Sequence, residues 1–312
     1  VSVPGWARAG RLLWRLGGFV VVWLVAQLLF ESFAGPLWGG VSALVGEPVP
    51  MYPLSMLVGA LAGTLVVFRQ VEPQSWTELG FGEGGWHWRR LAVGALLGTA
   101  LILGTALMLW LGGWLRFERV APPVFMQDTW WGTALRVLVV LGPAALWEEL
   151  AFRGTLYAAF REAFQESAGD TAGDTARAAV AQGGINVGAR LVTSVLFGLV
   201  HLTNPGAGVR TTALVMLAGW GLALVRERAG VPAAFTAHLA WNWIMAAVLH
   251  LPVSGLPFAT PGYRATVHGP DWLTGGSWGP EGGLAAAFVL GGAVLWASRP
   301  RRTSHDLQTS HA

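Results

Sequence analysis

The chain has 312 residues, is 54% hydrophobic and only 12% charged, and carries a net charge of +3 and no cysteine. A soluble globular domain has about twice that charged fraction, so the composition excludes an ordinary soluble enzyme and leaves room for several membrane spans. Disulfides, thiolate metal sites and a cysteine nucleophile are excluded as well. All 20 basic residues are arginine, which together with the abundance of Ala, Gly, Trp and Val suggests a GC-rich, bacterial genome. The basic excess reports membrane topology rather than nucleic-acid binding. The chain begins with Val, and its first apolar segment lacks a small-residue cleavage site. The expectation is therefore an anchor rather than a removed signal.

Eight segments approach the roughly 20 apolar residues that a span needs: residues 12–30, 52–68, 91–113, 132–160, 190–203, 211–226, 232–250 and 282–298. Arg8, Arg11 and Arg15 precede the first. Arg69, Arg89 and Arg90 lie between the second and third, and Arg161, Arg177 and Arg190 flank the loop after the fourth. Arg226 and Arg228 follow the sixth, and Arg299, Arg301 and Arg302 follow the eighth. These 14 arginines fall on one side; Arg116, Arg119, Arg210 and Arg264 fall on the other. The positive-inside rule then places both termini in the cytoplasm. Gly59 with Gly63, and Gly94 with Gly98, form small-xxx-small pairs that let helices approach closely. Residues 162–189, with the repeat AGDTAGDTA, are expected to form a flexible cytoplasmic loop. Residues 252–281, rich in Gly and Pro, are expected to form an external loop with interfacial Trp272 and Trp278. The tail after residue 298 reads as a cytoplasmic segment with a basic membrane-flanking patch.

Few ionisable residues lie inside the spans. Arg136 is near a helix end and can snorkel. The others are Glu148, Glu149 and Arg153 in the fourth span, His201 in the fifth, and His238 in the seventh, with Asn242 one turn beyond it. An ionisable residue at membrane depth is a functional candidate by default. Glu149 and Arg153 are four apart and can pair on one helical face. Glu148 points about 100° away, free for another task. A rise of about 1.5 Å per residue places Glu148, His201 and Asn242 roughly 15–20 Å from the cytoplasmic helix ends, and His238 roughly 9 Å. Three helices can thus gather one polar cluster.

The ordered motifs EELAFR (148–153), FGLVH (197–201) and HLAWN (238–242) resemble the signature of the CAAX-processing and bacteriocin-processing intramembrane endopeptidases, the CPBP family. WTELGF (76–81) resembles a segment that this family often carries. The resemblance covers roughly residues 76–250. It implies an all-α, polytopic transmembrane helix bundle of about eight spans with a CAAX-protease-like core. Residues 1–75 would be N-terminal transmembrane helices and 76–250 the protease core. Residues 251–312 would add an external loop, the last span and the cytoplasmic tail.

The activity implied is hydrolysis of peptide bonds in membrane-associated or lipid-linked peptides. Glu148 would be general base on a water, His201 would hold that water, and His238 with Asn242 would donate to the oxyanion. Glu149 and Arg153 would be the supporting pair. Members are labelled metalloproteases, and a metal-free glutamate mechanism is the other option; the sequence leaves both open. If a metal such as zinc is present, Glu148, His201 and His238 are its candidate ligands, although the His-Glu-x-x-His zinc helix is absent. The expected partners are the lipid bilayer and a peptide or lipidated-peptide substrate, with no nucleic acid. The expected location is a bacterial inner membrane.

Blander readings stand beside these. The Glu148–Glu149–Arg153 group can be a structural ion pair, and His201, His238 and Asn242 can be helix–helix hydrogen-bonding groups. Phe197 is expected to pack beside the site. A bacteriocin-immunity or scaffold protein could keep the same signature without catalysis. A transporter with a proton relay is the other alternative, but the inverted repeats common in transporters are not visible. The match to Gly-x-Ser-x-Gly at 275–279 lies in a loop without the required strand and helix, so it is read as chance. His87, His250, His268, His305 and His311 receive no role.

Overall fold

The computed structural model describes residues 5–45, 50–82, 86–119, 129–168, 175–258 and 261–298. The tail beyond 298, with its basic patch, lies outside the described residues. The chain is a bundle of α-helices. Helix α1 runs Gly5–Val45 and α2 Tyr52–Leu65, the latter continuing as a π-helical turn Val66–Val71. Helix α3 spans Trp88–Leu111. Helix α4 (Trp130–Glu148) passes without a break through a π-helical segment Glu149–Leu156 into α5 (Tyr157–Ala168). Then come α6 (Thr175–Val200), α7 (Val209–Ala229) and α8 (Val231–Trp243), which ends in a π turn Ile244–Val248. A short α9 (Asp271–Thr274) precedes α10 (Leu284–Ala297).

Among the described residues, five helical stretches are long and apolar enough to cross a membrane: Gly5–Gly40, Tyr52–Val71, Trp88–Leu111, Asn186–Thr203 and Val209–Ala229. The segment through Glu148 and Arg153 lies outside this set. Helix α10 is apolar but shorter than a span. Side chains such as Leu13, Val21, Leu24 and Leu28 face outward from α1. Such apolar surface suits lipid, in which apolar groups gain nothing by burial.

Close helix crossings set the geometry. A Cβ on Gly94 would sit 2.1 Å from the Ala233 carbonyl oxygen, and one on Gly98 would sit 2.0 Å from that of Ala237. Helix α3 therefore touches the backbone of α8 on either side of the residues leading to His238. Gly59 and Gly63 likewise meet Trp23 and Phe19 of α1. Both small-xxx-small pairs thus lie at helix contacts.

The arginines separate into two ends. At one, Arg15 pairs with Glu72 and, at 2.6 Å, with Glu162; Arg11 pairs with Glu166 at 3.0 Å and Arg190 with Glu227 at 3.0 Å. At the other, Arg116, Arg119 and Arg264 lie on a two-stranded antiparallel sheet, β1 (Leu115–Arg119) with β2 (Tyr263–Val267). Arg210 donates to the carbonyl of Gly282 at 3.0 Å nearby.

Three expectations need correction. The loop expected over 162–189 is largely helical, since α5 extends to Ala168 and α6 begins at Thr175. The Ala-rich stretches on either side of the repeat favour a helix; residues 169–174 of the repeat itself lie outside the described residues. The loop expected over 252–281 contributes β2 and α9, and Trp278 is 2% exposed rather than interfacial. It joins the same apolar cluster as Trp147, Phe152 and Phe197, while Trp272 stays exposed. The first span extends beyond residue 30, which places Glu31 inside the apolar stretch. Glu31 accepts from Ser55 Oγ at 2.6 Å and Gln27 Nε2 at 3.1 Å, so its short polar neighbours satisfy it locally.

Candidate active site

Thr129 caps the start of α4 by accepting the Gly132 N–H at 3.2 Å. The helix then buries its apolar side until Glu148, where the hydrogen-bond pattern widens to the π form for the eight residues Glu149–Leu156. Such segments occur disproportionately at functional sites. Seven of these eight residues are buried, including Glu149 and Arg153. Glu149 is 0% exposed and Arg153 1%.

Their pairing explains how charge is tolerated there. Arg153 Nη1 lies 3.1 Å from Glu149 Oε1, and Nη2 donates to the Gly219 carbonyl at 3.3 Å. The guanidinium carbon stands 4.0 Å from the centre of the Phe197 ring. A buried guanidinium is held best by a carboxylate together with further acceptors and an aromatic face.

The same Glu149 oxygen receives His238 Nδ1 from α8 at 2.9 Å. A carboxylate as partner fixes the proton on Nδ1 and orients the ring. His238 Nε2 then faces Glu148, 3.9 Å from Oε2. That Oε2 is buried and has no hydrogen-bond donor among the described residues. The two adjacent glutamates are therefore differently engaged: Arg153 and His238 both hold Glu149 through Oε1, although its Oε2 is also buried without a donor, whereas Glu148 accepts no hydrogen bond among the described residues.

His201 stands in the last turn of α6, where the helix tightens to a 3-10 turn His201–Thr203. Its Nδ1 lies 2.7 Å from the Phe197 carbonyl, which makes Nδ1 the donor and leaves Nε2 as the free nitrogen of the neutral ring. Phe197 is 3% exposed and its ring contacts His201 at 4.7 Å and His238 at 6.1 Å between centroids. It packs where the three motifs meet, as its position implied. Asn242 is buried on α8 one turn after His238. Among the described residues, no hydrogen bond or ion pair joins His201 or Asn242 directly to Glu148.

The WTELGF segment supports the site from the arginine-rich end. Glu78 and Ser75 cap one another: Ser75 N–H and Oγ donate to Glu78 Oε2 at 2.6 and 2.8 Å, and Glu78 N–H returns to Ser75 Oγ at 3.2 Å. These bonds hold the Glu78 carboxyl below the usual carboxylate range. Gly80, at φ +89°, accepts the Val231 N–H at 2.8 Å, and Arg226 Nη2 donates to the Glu78 carbonyl at 2.7 Å. The segment thereby fixes the junction between α7 and α8, the helix that carries His238 and Asn242.

A metal would need three or more of these groups to converge. Among the described residues no group of three or more His, Asp or Glu is placed to hold a metal ion. His238 and His201 engage Nδ1 with Glu149 and the Phe197 carbonyl, which leaves each Nε2 open, as in metal-ligating histidines. The candidate set Glu148, His201 and His238 nevertheless does not converge on one point among the described residues, so it does not fit a metal as these side chains stand.

Sequence reasoning missed two acidic groups. Glu31 lies one residue past the expected end of the first span. Glu281, in the Gly- and Pro-rich loop, accepts the Trp241 indole N–H at 3.2 Å, next to Asn242. Its signal was a lone carboxylate among loop glycines, which sequence alone does not distinguish from a solvated residue.

These features define the chain as a polytopic α-helical membrane protein with a buried carboxylate–histidine cluster. Residues 129–244 match the family model described as type II CAAX prenyl endopeptidase, Rce1-like. The match covers a little over a third of the chain, contains all six candidate site residues, and supports assignment to the CPBP/CAAX protease family. That family is one of intramembrane proteases, which act on peptides within the bilayer. No curated protein and no solved structure matches the chain.

Proposed function

We propose that the chain is an intramembrane endopeptidase that hydrolyses membrane-associated or lipid-linked peptides with a water activated by Glu148. The carrying observation is the asymmetry of the glutamate pair. Glu149 is held through Oε1 by Arg153 and His238, whereas Glu148 accepts no hydrogen bond among the described residues and its Oε2 faces His238 Nε2 at 3.9 Å; the second oxygen of each carboxylate is buried without a donor.

In this reading Glu148 takes a proton from water as the oxygen attacks the scissile carbonyl. His201 Nε2 accepts the water's second hydrogen and orients it. The tetrahedral oxyanion is met by the Asn242 side-chain amide and by His238 Nε2, which donates as imidazolium. As the C–N bond breaks, the protonated Glu148 passes its proton to the leaving amine. Arg153 and Glu149 take no part in bond changes; they hold His238. The arginine distribution favours both termini in the cytoplasm of a bacterial cell, with eight spans and a protease core over residues 76–250.

The test is cleavage of a library of lipidated and unlipidated peptides by the purified protein in lipid nanodiscs, with and without a chelator. Cleavage lost in both Glu148→Ala and His201→Ala, and insensitive to the chelator, is the expected result. Undiminished cleavage by Glu148→Ala would overturn the assignment.

A further inference from the structure

Residues 249–258 and 261–283 form a compact plug over the ends of α6, α7 and α8. Its backbone is held in unusual conformations. Ser254 has φ +49°, and Gly255, Gly275, Gly276 and Gly279 all have positive φ. A left-handed serine is unfavourable and persists only where its surroundings enforce it.

The enforcing group is Glu281. Its Oε1 accepts both the N–H and the hydroxyl of Ser254, each at 2.6 Å, and its Oε2 accepts the Trp241 indole N–H at 3.2 Å. No cation pairs with it among the described residues. Ser254 in turn gives its carbonyl to Asn204 Nδ2 at 3.1 Å. Asn204 lies three residues beyond His201, and Trp241 is the residue before Asn242. One carboxylate thus ties the end of α6 to the site stretch of α8. Trp278 seats the plug, with its carbonyl accepting the Gly255 N–H at 2.9 Å and its ring in the apolar cluster of Phe197 and Trp147.

We propose that Glu281 is a positioning residue: through Ser254 and Asn204 on one side and Trp241 on the other, it fixes the spacing between His201 and Asn242. The proposal rests on the protease reading for its effect on rate, but not for its effect on geometry. A carboxylate suits the task because its two oxygens can accept three hydrogen bonds at once. A displacement of about 1 Å between catalytic groups can cost on the order of 10²-fold in rate. The bridge therefore acts on turnover more than on substrate affinity.

The absence of cysteine makes a direct measurement practical, because spin labels attach only where a cysteine is introduced. Labels at Leu202 and Ala240 report the distance between the two helix ends by pulsed electron resonance in nanodiscs. Glu281→Ala is expected to broaden or shift that distance distribution while the protein stays monodisperse. Glu281→Gln, which keeps one acceptor oxygen, is expected to fall between Glu281→Ala and the parent. In unlabelled protein, Glu281→Ala is expected to lower kcat by about tenfold or more, with KM changed by less than about twofold, and Glu281→Gln to recover part of the loss. An unchanged distance distribution in both variants would overturn the proposal. So would an altered distribution with an unchanged kcat, since the bridge would then not position the site. If the parent protein cleaves nothing, the protease reading fails by itself and the distance measurement still decides whether Glu281 holds the helices.

Discussion

Carboxylates meet guanidinium groups both at the arginine-rich end and within the site, and the two settings differ in what the pairs are worth. Arg11 and Glu166 form their 3.0 Å pair with side chains 40% and 27% exposed. Arg153 and Glu149 form a 3.1 Å pair with 1% and 0% exposed. Exposed pairs contribute about 0–1 kcal/mol. Breaking a buried pair costs about 3–5 kcal/mol, because the partner's charge is left stranded. The end pairs lie at the arginine-rich end of the bundle, and the buried pair holds His238 through Glu149. Similar distances therefore carry different meanings, and burial separates them.

The largest expected effect is on the buried pair. Arg153→Met leaves Glu149 with His238 alone and is predicted to lower stability by about 3–5 kcal/mol. Thermal unfolding in detergent measures it, and a loss under 1 kcal/mol would place this pair with the exposed ones. Next is the close crossing that carries the site. A side chain at Gly98 would collide with the Ala237 carbonyl, and Gly98→Val is predicted to cost about 1–3 kcal/mol through overpacking. Cleavage should fall with it, because α8 must shift next to His238. Gly291→Val serves as the control, since a Cβ there meets nothing within 4 Å.

A smaller effect belongs to the turn at Glu78. Its carboxyl titrates below the ordinary value of 4.5 in the folded chain. Its stabilisation is therefore fully present above pH 4.5, and it is lost as pH falls through the lowered folded value. Hydrogen exchange of residues 75–81 is expected to rise across that acidic window in the parent chain and to be faster, with less pH dependence, in Glu78→Gln. Equal protection in both proteins would contradict the capping role. The smallest effect is at Arg264, whose 3.4 Å pair with Glu118 is 66% and 50% exposed. Arg264→Ala should change stability by less than about 0.5 kcal/mol.

Much of this was legible in the sequence because membrane depth makes polar residues conspicuous. Glu149 and Arg153, four apart, pair as the spacing implied, and their neighbour Glu148 remains disengaged. His238 reached the same cluster from a separate helix, again as the intramembrane polar residues suggested. The partner of His238 was not legible: the family resemblance implied a role at an oxyanion, and only three-dimensional packing joined its Nδ1 to Glu149. The π-helical segment Glu149–Leu156 has no composition signal. The β1–β2 pairing joins short strands far apart in the chain. The plug was read as a loop because its glycines permit a turn without specifying which one, and Glu281 gains its partners only when that turn closes.

The most direct test of the account compares the neighbouring glutamates, one at a time. Cleavage and thermal stability are measured for Glu148→Gln and Glu149→Gln in the same nanodiscs. The account predicts that Glu148→Gln abolishes cleavage while retaining the parent's stability, and that Glu149→Gln lowers stability because Arg153 loses its charge partner. Cleavage by Glu148→Gln at the parent's rate would contradict the central claim that the disengaged carboxylate activates the water.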